Sequence, residues 1–233
     1  MNEKEFVVEL EKLGIAATSK QMANLEKYYL FLKTENDKYN LTAITEKDKV
    51  YLKHFYDSLT IIKAINLKDQ TICDIGTGAG FPGVVLKIFF PNLKVTLVDS
   101  SLKKTTFLEK LISELDLIDI EVIQSRVEDF SQSNEEKYNL VVVRAVAPLN
   151  IVLELSAKIT KIHGKIVCMK ANISQEIIKG EKAAIILGLE KSNQEAFSLP
   201  FENSVRTILV YEKQRKTDSK YPRAYSLIKQ RPL

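Results

Sequence analysis

Between Asp74 and Gly83 the chain reads DIGTGAGFPG, four glycines and a proline behind the short apolar run TIC. Glycines at a strand-to-helix turn admit positive φ and let a ligand lie directly against the backbone. Gly78, Gly80 and Gly83 satisfy G-x-G-x-x-G, while Gly76, Gly78 and Gly80 satisfy the tighter G-x-G-x-G, so the glycines alone admit either a dinucleotide or a nucleoside. A Walker loop is excluded, because no Gly-Lys-Ser/Thr follows. Asp74 places a carboxylate beside the ligand position, favourable to a cationic amine or sulfonium and unfavourable to a pyrophosphate. Asp99 closes KVTLVD one βα unit later, where a carboxylate accepts ribose hydroxyls for either kind of ligand. Glu128 and Asp129 follow IEVIQSRV, at the end of the next strand, where an adenine would lie. Each acid singly reads equally well as a helix cap. Acids at successive strand ends behind these glycines point instead to a nucleoside ligand without phosphate.

The elements that must hold these residues follow from periodicity. Up to about residue 66 the pattern is helical: Phe6, Leu10 and Leu13, then Met22, Leu25, Tyr29 and Leu32, recur at three- and four-residue spacing. Thr18 with Gln21, and Thr45 with Asp48, read as capping pairs for the second and third helices, with NDKYNLTAIT a loop between. From residue 71 short β-rich runs (TICDI, KVTLVD, IEVIQS, YNLVVVRAV, GKIVCMK) alternate with helices expected at 81 to 90, 102 to 116, 148 to 161 and 174 to 187. That alternation predicts a parallel sheet covered on both faces. LEKSNQEAFSLP and SVRTILVYEK are too close together for a crossover helix, so the last two strands should pair antiparallel.

The 233 residues are 45% hydrophobic and 27% charged, an ordinary globular composition. Cys73 and Cys168 both stand in apolar runs, which suits buried reduced thiols and a reducing cytoplasm. The N-terminal MNEKEFVVELEK lacks an apolar signal core, and no run reaches the roughly 18 apolar residues of a membrane span. The net charge of +4 is mild but uneven. Lys213, Arg215, Lys216, Lys220, Arg223, Lys229 and Arg231 face Asp218 alone near the C-terminus, a stretch that reads either as a phosphate-binding tail or as a solvated one.

The glycine turn, the acids and the terminal antiparallel pair together resemble the Rossmann-like fold of S-adenosylmethionine-dependent methyltransferases. That is an α/β architecture with a seven-stranded, mostly parallel sheet ending in an antiparallel hairpin. Here it would carry an N-terminal helical extension (1–66), a methyltransferase domain (67–212) and a basic tail (213–233). The segment after the fourth strand, where such folds hold the methyl acceptor, reads RAVAPLN, Arg144 to Asn150. It has no Asn/Asp-Pro-Pro-aromatic loop for an exocyclic amine and no cysteine nucleophile for pyrimidine C5. A ring nitrogen such as guanine N7 has an exposed lone pair and loses no proton on methylation, so positioning carries most of its catalysis. Arg144 suits that acceptor, since guanine O6 and phosphates are good arginine partners.

Six blocks then resemble, in order and spacing, the bacterial ribosomal RNA small-subunit methyltransferase G family, also called glucose-inhibited division protein B. They are YNLTAI (39–44), HFYDSL (54–59), DIGTGAGFPG, LVDSSLKKTTFL (97–108), QSRVEDF (124–130) and RAVAPL, within a match from about residue 5 to 212. The resemblance implies methyl transfer from S-adenosyl-L-methionine to N7 of one guanine of 16S ribosomal RNA, in the RNA or in the small ribosomal subunit; a cytoplasmic monomer is expected. It assigns cofactor contacts to Gly76, Gly78, Gly80, Phe81, Asp99, Val127, Glu128 and Arg144, with Asp74 beside them. Asn40, His54 and Arg144 would serve the reacting groups, and Asp57 and Ser58 would help shape the pocket. Arg126, Lys103, Lys104, Lys170 and Arg223 would face RNA.

The chain departs from the family in two places. It has Lys170-Ala171 where relatives have Lys-Gly, and TDSK and SLIKQ around KYPRAY where relatives carry Pro- and Gly-rich sequence. Structural readings stand beside several functional ones. His54 also reads as a buried helix histidine, His163 as a cation at a helix C-terminus, and Tyr28, Tyr29 and Phe31 as packing residues. Lys103 and Lys104 open a helix, a poor place for cations on dipole grounds, which hints at phosphate contact. No His, Cys and acid cluster has metal-ligand spacing. A non-catalytic RNA-binding protein and a small-molecule methyltransferase remain alternatives. An NAD-dependent oxidoreductase is disfavoured by Asp74 and by the lack of a hydride-site Tyr-x-x-x-Lys or His pair.

Overall fold

The computed structural model describes residues 1–233 except 172, 174, 175 and 203. Five strands, β1 (Thr71–Ile75), β2 (Lys94–Asp99), β3 (Ile120–Gln124), β4 (Tyr138–Arg144) and β5 (Thr160–Lys170), pair parallel. β6 (Leu189–Ser198) and β7 (Val205–Lys213) pair antiparallel with each other, and β7 antiparallel with β5. The order across the seven-stranded sheet is β3-β2-β1-β4-β5-β7-β6. From β1 the chain steps outward to β2 and β3, then returns to the other flank at β4. That reversal opens a crevice at the carboxyl ends of β1 and β4, where open α/β sheets bind ligands.

The alternation of strand side chains divides the core in two. Ile72, Val95, Leu97, Leu140 and Val142 face one hydrophobic cluster, and Cys73, Val98, Val141 and Val143 face the other. The first cluster is completed by α1 (Glu3–Lys12), α2 (Ser19–Tyr39), α5 (Gly83–Phe89) and α6 (Leu102–Glu114). Joining them is the segment α3 (Lys47–Val50), a π-helical turn (Tyr51–Tyr56), α4 (Asp57–Leu59) and a 3₁₀ turn (Thr60–Lys63). The second cluster is covered by α7 (Val127–Ser133), α8 (Leu149–Ala157), α9 (Ile177–Leu187) and the C-terminal segment that contains α10 (Tyr225–Gln230). No helix among the described residues is long and apolar enough to cross a membrane.

Local chemistry accounts for most element boundaries. Thr18 and Gln21 form the capping box anticipated for α2, and Asn2 with Glu5 forms another for α1. α3 instead begins after Glu46, without a side-chain cap, so Thr45 does not start it. α2 runs to Tyr39, four residues into the expected loop, and ends at Asn40 in the left-handed conformation with φ 50°. β5 begins at Thr160, four residues before the apolar run, so His163 lies inside a strand and not at a helix end. There it takes φ +63° and its Nδ1 lies 3.7 Å from the Glu212 carboxylate. The expected start of α9 at 174 falls outside the described residues. The basic tail is packed: Tyr221 and Ile228 are buried and Thr217 donates to the Leu187 carbonyl.

Candidate active site

The glycine turn leaves β1 with Gly76, Gly78 and Gly80 all at positive φ, +67°, +63° and +98°. Gly78 and Gly80 serve different ends. A Cβ on Gly78 would meet nothing nearer than the Gly76 carbonyl at 4.0 Å, so its side-chain position is open space for a ligand. A Cβ on Gly80 would come within 2.7 Å of the Tyr28 hydroxyl and 2.7 Å of Val84, so there the glycine allows close packing. The Tyr28 hydroxyl donates to the Ala79 carbonyl and ties α2 to the loop.

Asp74 lies beneath this turn, fully buried. Its Oδ2 accepts from the Thr77 hydroxyl (2.7 Å) and the Gly83 amide (2.8 Å), while its Oδ1 has no partner among the described residues. Burial pushes its carboxyl up to about 7 against those two hydrogen bonds. Asp74 thus braces the turn from inside, a different position from the ligand-side one its sequence location suggested. Asp99 is at the surface of the crevice: its Oδ2 accepts from the Gly78 amide at 3.1 Å and its Oδ1 from the Ser101 amide at 2.9 Å. Lys104 lies 3.5 Å from that Oδ2, so the cation opening α6 balances Asp99, while Lys103 is exposed. Gly76, Asp99, Ser125, Arg126, Val127 and Glu128 line a cavity of about 280 Å³, together with Ala145, Val146 and Tyr225.

Beyond Ala145, which both share, lies a second cavity of about 240 Å³ lined by Lys53, His54, Asp57, Arg144, Lys170 and Arg206 among others. Its geometry depends on the π-helical turn. The Asp57 amide donates back to Leu52 and His54, so the Lys53 carbonyl is released from the helix ladder and accepts from Arg144 Nη1 at 3.1 Å. The same Nη1 lies 3.1 Å from Asp57 Oδ2, and Arg144 Nη2 lies 3.0 Å from His54 Nδ1. Arg206, from β7, donates to the other Asp57 oxygen at 3.1 Å, so one carboxylate clamps two guanidinium groups.

His54 meets a donor and an acceptor at the same ring nitrogen. An arginine only donates and a carbonyl only accepts, yet Arg144 Nη2 (3.0 Å) and the Lys53 carbonyl (3.1 Å) both stand at Nδ1, while Nε2 lies 2.9 Å from Thr42 Oγ1. Burial and the adjacent Arg144 charge lower its pKa to about 3. Its ring stacks on Phe81 at 4.4 Å, and Phe81 stacks on Tyr28 at 5.3 Å, with the Arg144 guanidinium 5.5 Å from the Phe81 centroid. Phe81 therefore joins the glycine turn to both α2 and the π turn.

The other anticipated residues have contacts of their own. Asn40 is exposed at the end of α2, and it is Thr42, two residues on, that reaches His54. Ser58 is buried and donates to the His54 carbonyl at 2.6 Å. Lys170 holds the acceptor-side loop, donating to the Ala147 carbonyl (2.5 Å) and to Glu176 (2.8 Å). Arg223 is bound to the buried Glu154. Arg126 is exposed, its guanidinium 6.0 Å from the Tyr225 ring. Sequence reasoning missed Arg206, Tyr28 and Thr42 as site residues. Thr42 alone carried a signal, inside the block YNLTAI.

A family model described as rRNA small subunit methyltransferase G matches residues 21–205. The chain is 44% identical to Ribosomal RNA small subunit methyltransferase G of Geobacillus sp. (strain WCH70), over 100% of both chains. It is 46% identical to the protein of the same name from Bacillus pumilus (strain SAFR-032), over 96% of this chain and 95% of that one. Among solved structures, a SAM-dependent methyltransferase from Aquifex aeolicus superposes with TM-score 0.54 at 13% identity, covering 77% of this chain and 98% of that one. M. jannaschii TYW2, solved in complex with AdoMet, gives TM-score 0.52 at 17% identity over 64% and 71% of the two chains. Likeness at such identities establishes the methyltransferase fold, and the family match is specific: the chain belongs to the rRNA small subunit methyltransferase G family.

Proposed function

We propose that this protein transfers a methyl group from S-adenosylmethionine to N7 of one guanine in 16S ribosomal RNA. The observation that carries the reading is the pair of cavities meeting at Ala145, one built from glycine backbone and Asp99, the other from an arginine cluster around a neutral histidine. The first fits an adenosine without phosphate: the Gly78 side-chain position is open, and Asp99 retains lone pairs for ribose hydroxyls. When bound there, S-adenosylmethionine supplies an electrophilic methyl on a sulfonium.

The second cavity orients its guest and leaves the proton inventory alone. His54 is unsuited to act as a base, because burial and the adjacent Arg144 charge lower its pKa to about 3. Guanine N7 needs no base, and an in-plane lone pair held in line with the methyl gains its rate from alignment. Arg144 and Arg206, fixed by Asp57, present donors that suit guanine O6 and nearby phosphate oxygens. Membership of an rRNA methyltransferase family supports RNA as the acceptor, and the same reading makes the protein a cytoplasmic monomer working on 16S RNA or the small subunit.

The test is methyl transfer from labelled S-adenosylmethionine to small-subunit RNA and particles lacking native modifications, with the product nucleotide identified by mass spectrometry. A single N7-methylguanine is expected. Modification at another atom, or of small molecules alone, overturns the assignment. Two variants check the placement of the cofactor. Gly78→Ala should cost about 1–2 kcal/mol of stability through its left-handed backbone and obstruct the cofactor; a folded variant with native cofactor affinity would move the cofactor elsewhere. Asp99→Ala should weaken cofactor binding by about 1–3 kcal/mol, read by calorimetric titration.

A further inference from the structure

The segment after β7 is built as a strap whose side chains reach the nucleoside cavity. Glu154, on α8, is fully buried and receives three hydrogen bonds from one residue: the Arg223 amide (3.0 Å), Nε (2.7 Å) and Nη2 (2.6 Å). A bidentate arginine on a buried carboxylate is a rigid anchor. The remaining Arg223 nitrogen, Nη1, donates to the Arg231 carbonyl at 3.0 Å, and Asn150, also on α8, donates to the Leu233 oxygen at 2.8 Å. Between these anchors Ile228 is fully buried. The strap thus has fixed points on both sides of α10, and the first is two residues from Tyr225. Tyr225 lines the same cavity as Gly76, Asp99 and Val127, and the Arg126 guanidinium sits over its ring.

We propose that Tyr225 is a cofactor-binding residue, its ring forming the outer wall against which the adenine of bound S-adenosylmethionine packs, with Arg223 as the positioning residue. The inference rests on the functional reading above. Three features support it. The ring lies beside the Arg126 guanidinium, next to where the chain leaves β3, and lines the cavity together with Val127 and Glu128. A tyrosine offers an apolar face at low conformational cost, the property that suits a purine surface. At 36% exposure Tyr225 is the most exposed large aromatic residue apart from Phe201, while the segment on either side of it is pinned to buried partners. The arrangement also gives the basic tail a use other than phosphate contact: its best-placed arginine is spent on Glu154.

The experiment uses the full chain and calorimetric titration with S-adenosylhomocysteine, a probe that needs no RNA and no turnover. Tyr225→Ala is expected to raise the Kd about tenfold, and Tyr225→Phe to restore it to within about twofold of the native value. Melting temperatures taken alongside should change little, since the ring is partly exposed. In RNA methylation, Tyr225→Ala should raise KM for S-adenosylmethionine far more than KM for RNA. Unchanged affinity for S-adenosylhomocysteine in Tyr225→Ala overturns the inference while leaving the functional reading intact, and so does an effect confined to KM for RNA. Failure of the native protein to bind S-adenosylhomocysteine removes the functional reading, and the inference with it.

Discussion

An Arg144→Ala variant is expected to methylate at least ~100-fold more slowly than the native protein and to be less stable by about 3–5 kcal/mol. From sequence alone Arg144 reads as a site residue whose loss costs turnover more than folding. Its surroundings make it both. Truncation would leave Asp57, 6% exposed, with Arg206 as its single charged partner among the described residues, and would remove the guanidinium donors at the Lys53 carbonyl and His54 Nδ1. Breaking a buried pair by removing one member is costly because the other charge stays desolvated. Arg144→Lys should fall between, since one ammonium cannot satisfy the carbonyl, the carboxylate and the imidazole in the geometry of a guanidinium fork. Urea unfolding followed by circular dichroism reads the first effect, and single-turnover methyl transfer the second. Native stability with lost activity would mean that Asp57 and His54 repartner freely and that the cluster is not preorganised by its buried contacts.

The parts of the site that were legible in the sequence are those made by neighbours in the chain. The βα alternation, the glycine turn and Asp99 are written in runs of ten residues or so, and the fold follows from them together with the closeness of the last two strands. What escaped was assembled across the fold. Tyr28 meets the Ala79 carbonyl across 51 residues, Arg144 meets Asp57 across 87, and Arg206 meets Asp57 across 149. The π turn that frees the Lys53 carbonyl has no composition signature, because YLKHFY satisfies an α-helical pattern equally well. Cations were the least legible class. Lys104, Lys170 and Arg223 are expected from the sequence to face RNA, yet each has a carboxylate partner that only the folded chain brings near. Asp74 failed for the opposite reason: its place before the first glycine was right, but which way a strand residue points is decided by the pleat and by the Gly83 amide waiting inside.

Asp74 and His54 together should give a pH dependence of stability that is hidden in the native protein and exposed by substitution. Burial holds the Asp74 carboxyl near about 7, above its unfolded value of about 3.9, so its contribution is present below about pH 4 and is lost as pH rises toward 7. Burial and Arg144 hold His54 near about 3, below its unfolded value of about 6.5, so its contribution is present above about pH 6.5 and is lost as pH falls toward 3. Between about pH 4 and 6.5 the two slopes are opposite in sign and each is at most about 1.4 kcal/mol per pH unit, so they cancel. Asp74→Asn removes one of them, and its carboxamide oxygen can still accept from Thr77 and Gly83. That variant should gain up to about 3 kcal/mol of stability relative to its own value at pH 4 on going to pH 6.5, whereas the native protein gains nothing from these two groups. Urea melts at pH 4, 5 and 6.5 on both proteins measure the difference, and parallel profiles would show that Asp74 is ionised throughout. Turnover should follow the same logic: with His54 neutral across this range, the native rate should show no step near pH 6.5 attributable to its imidazole.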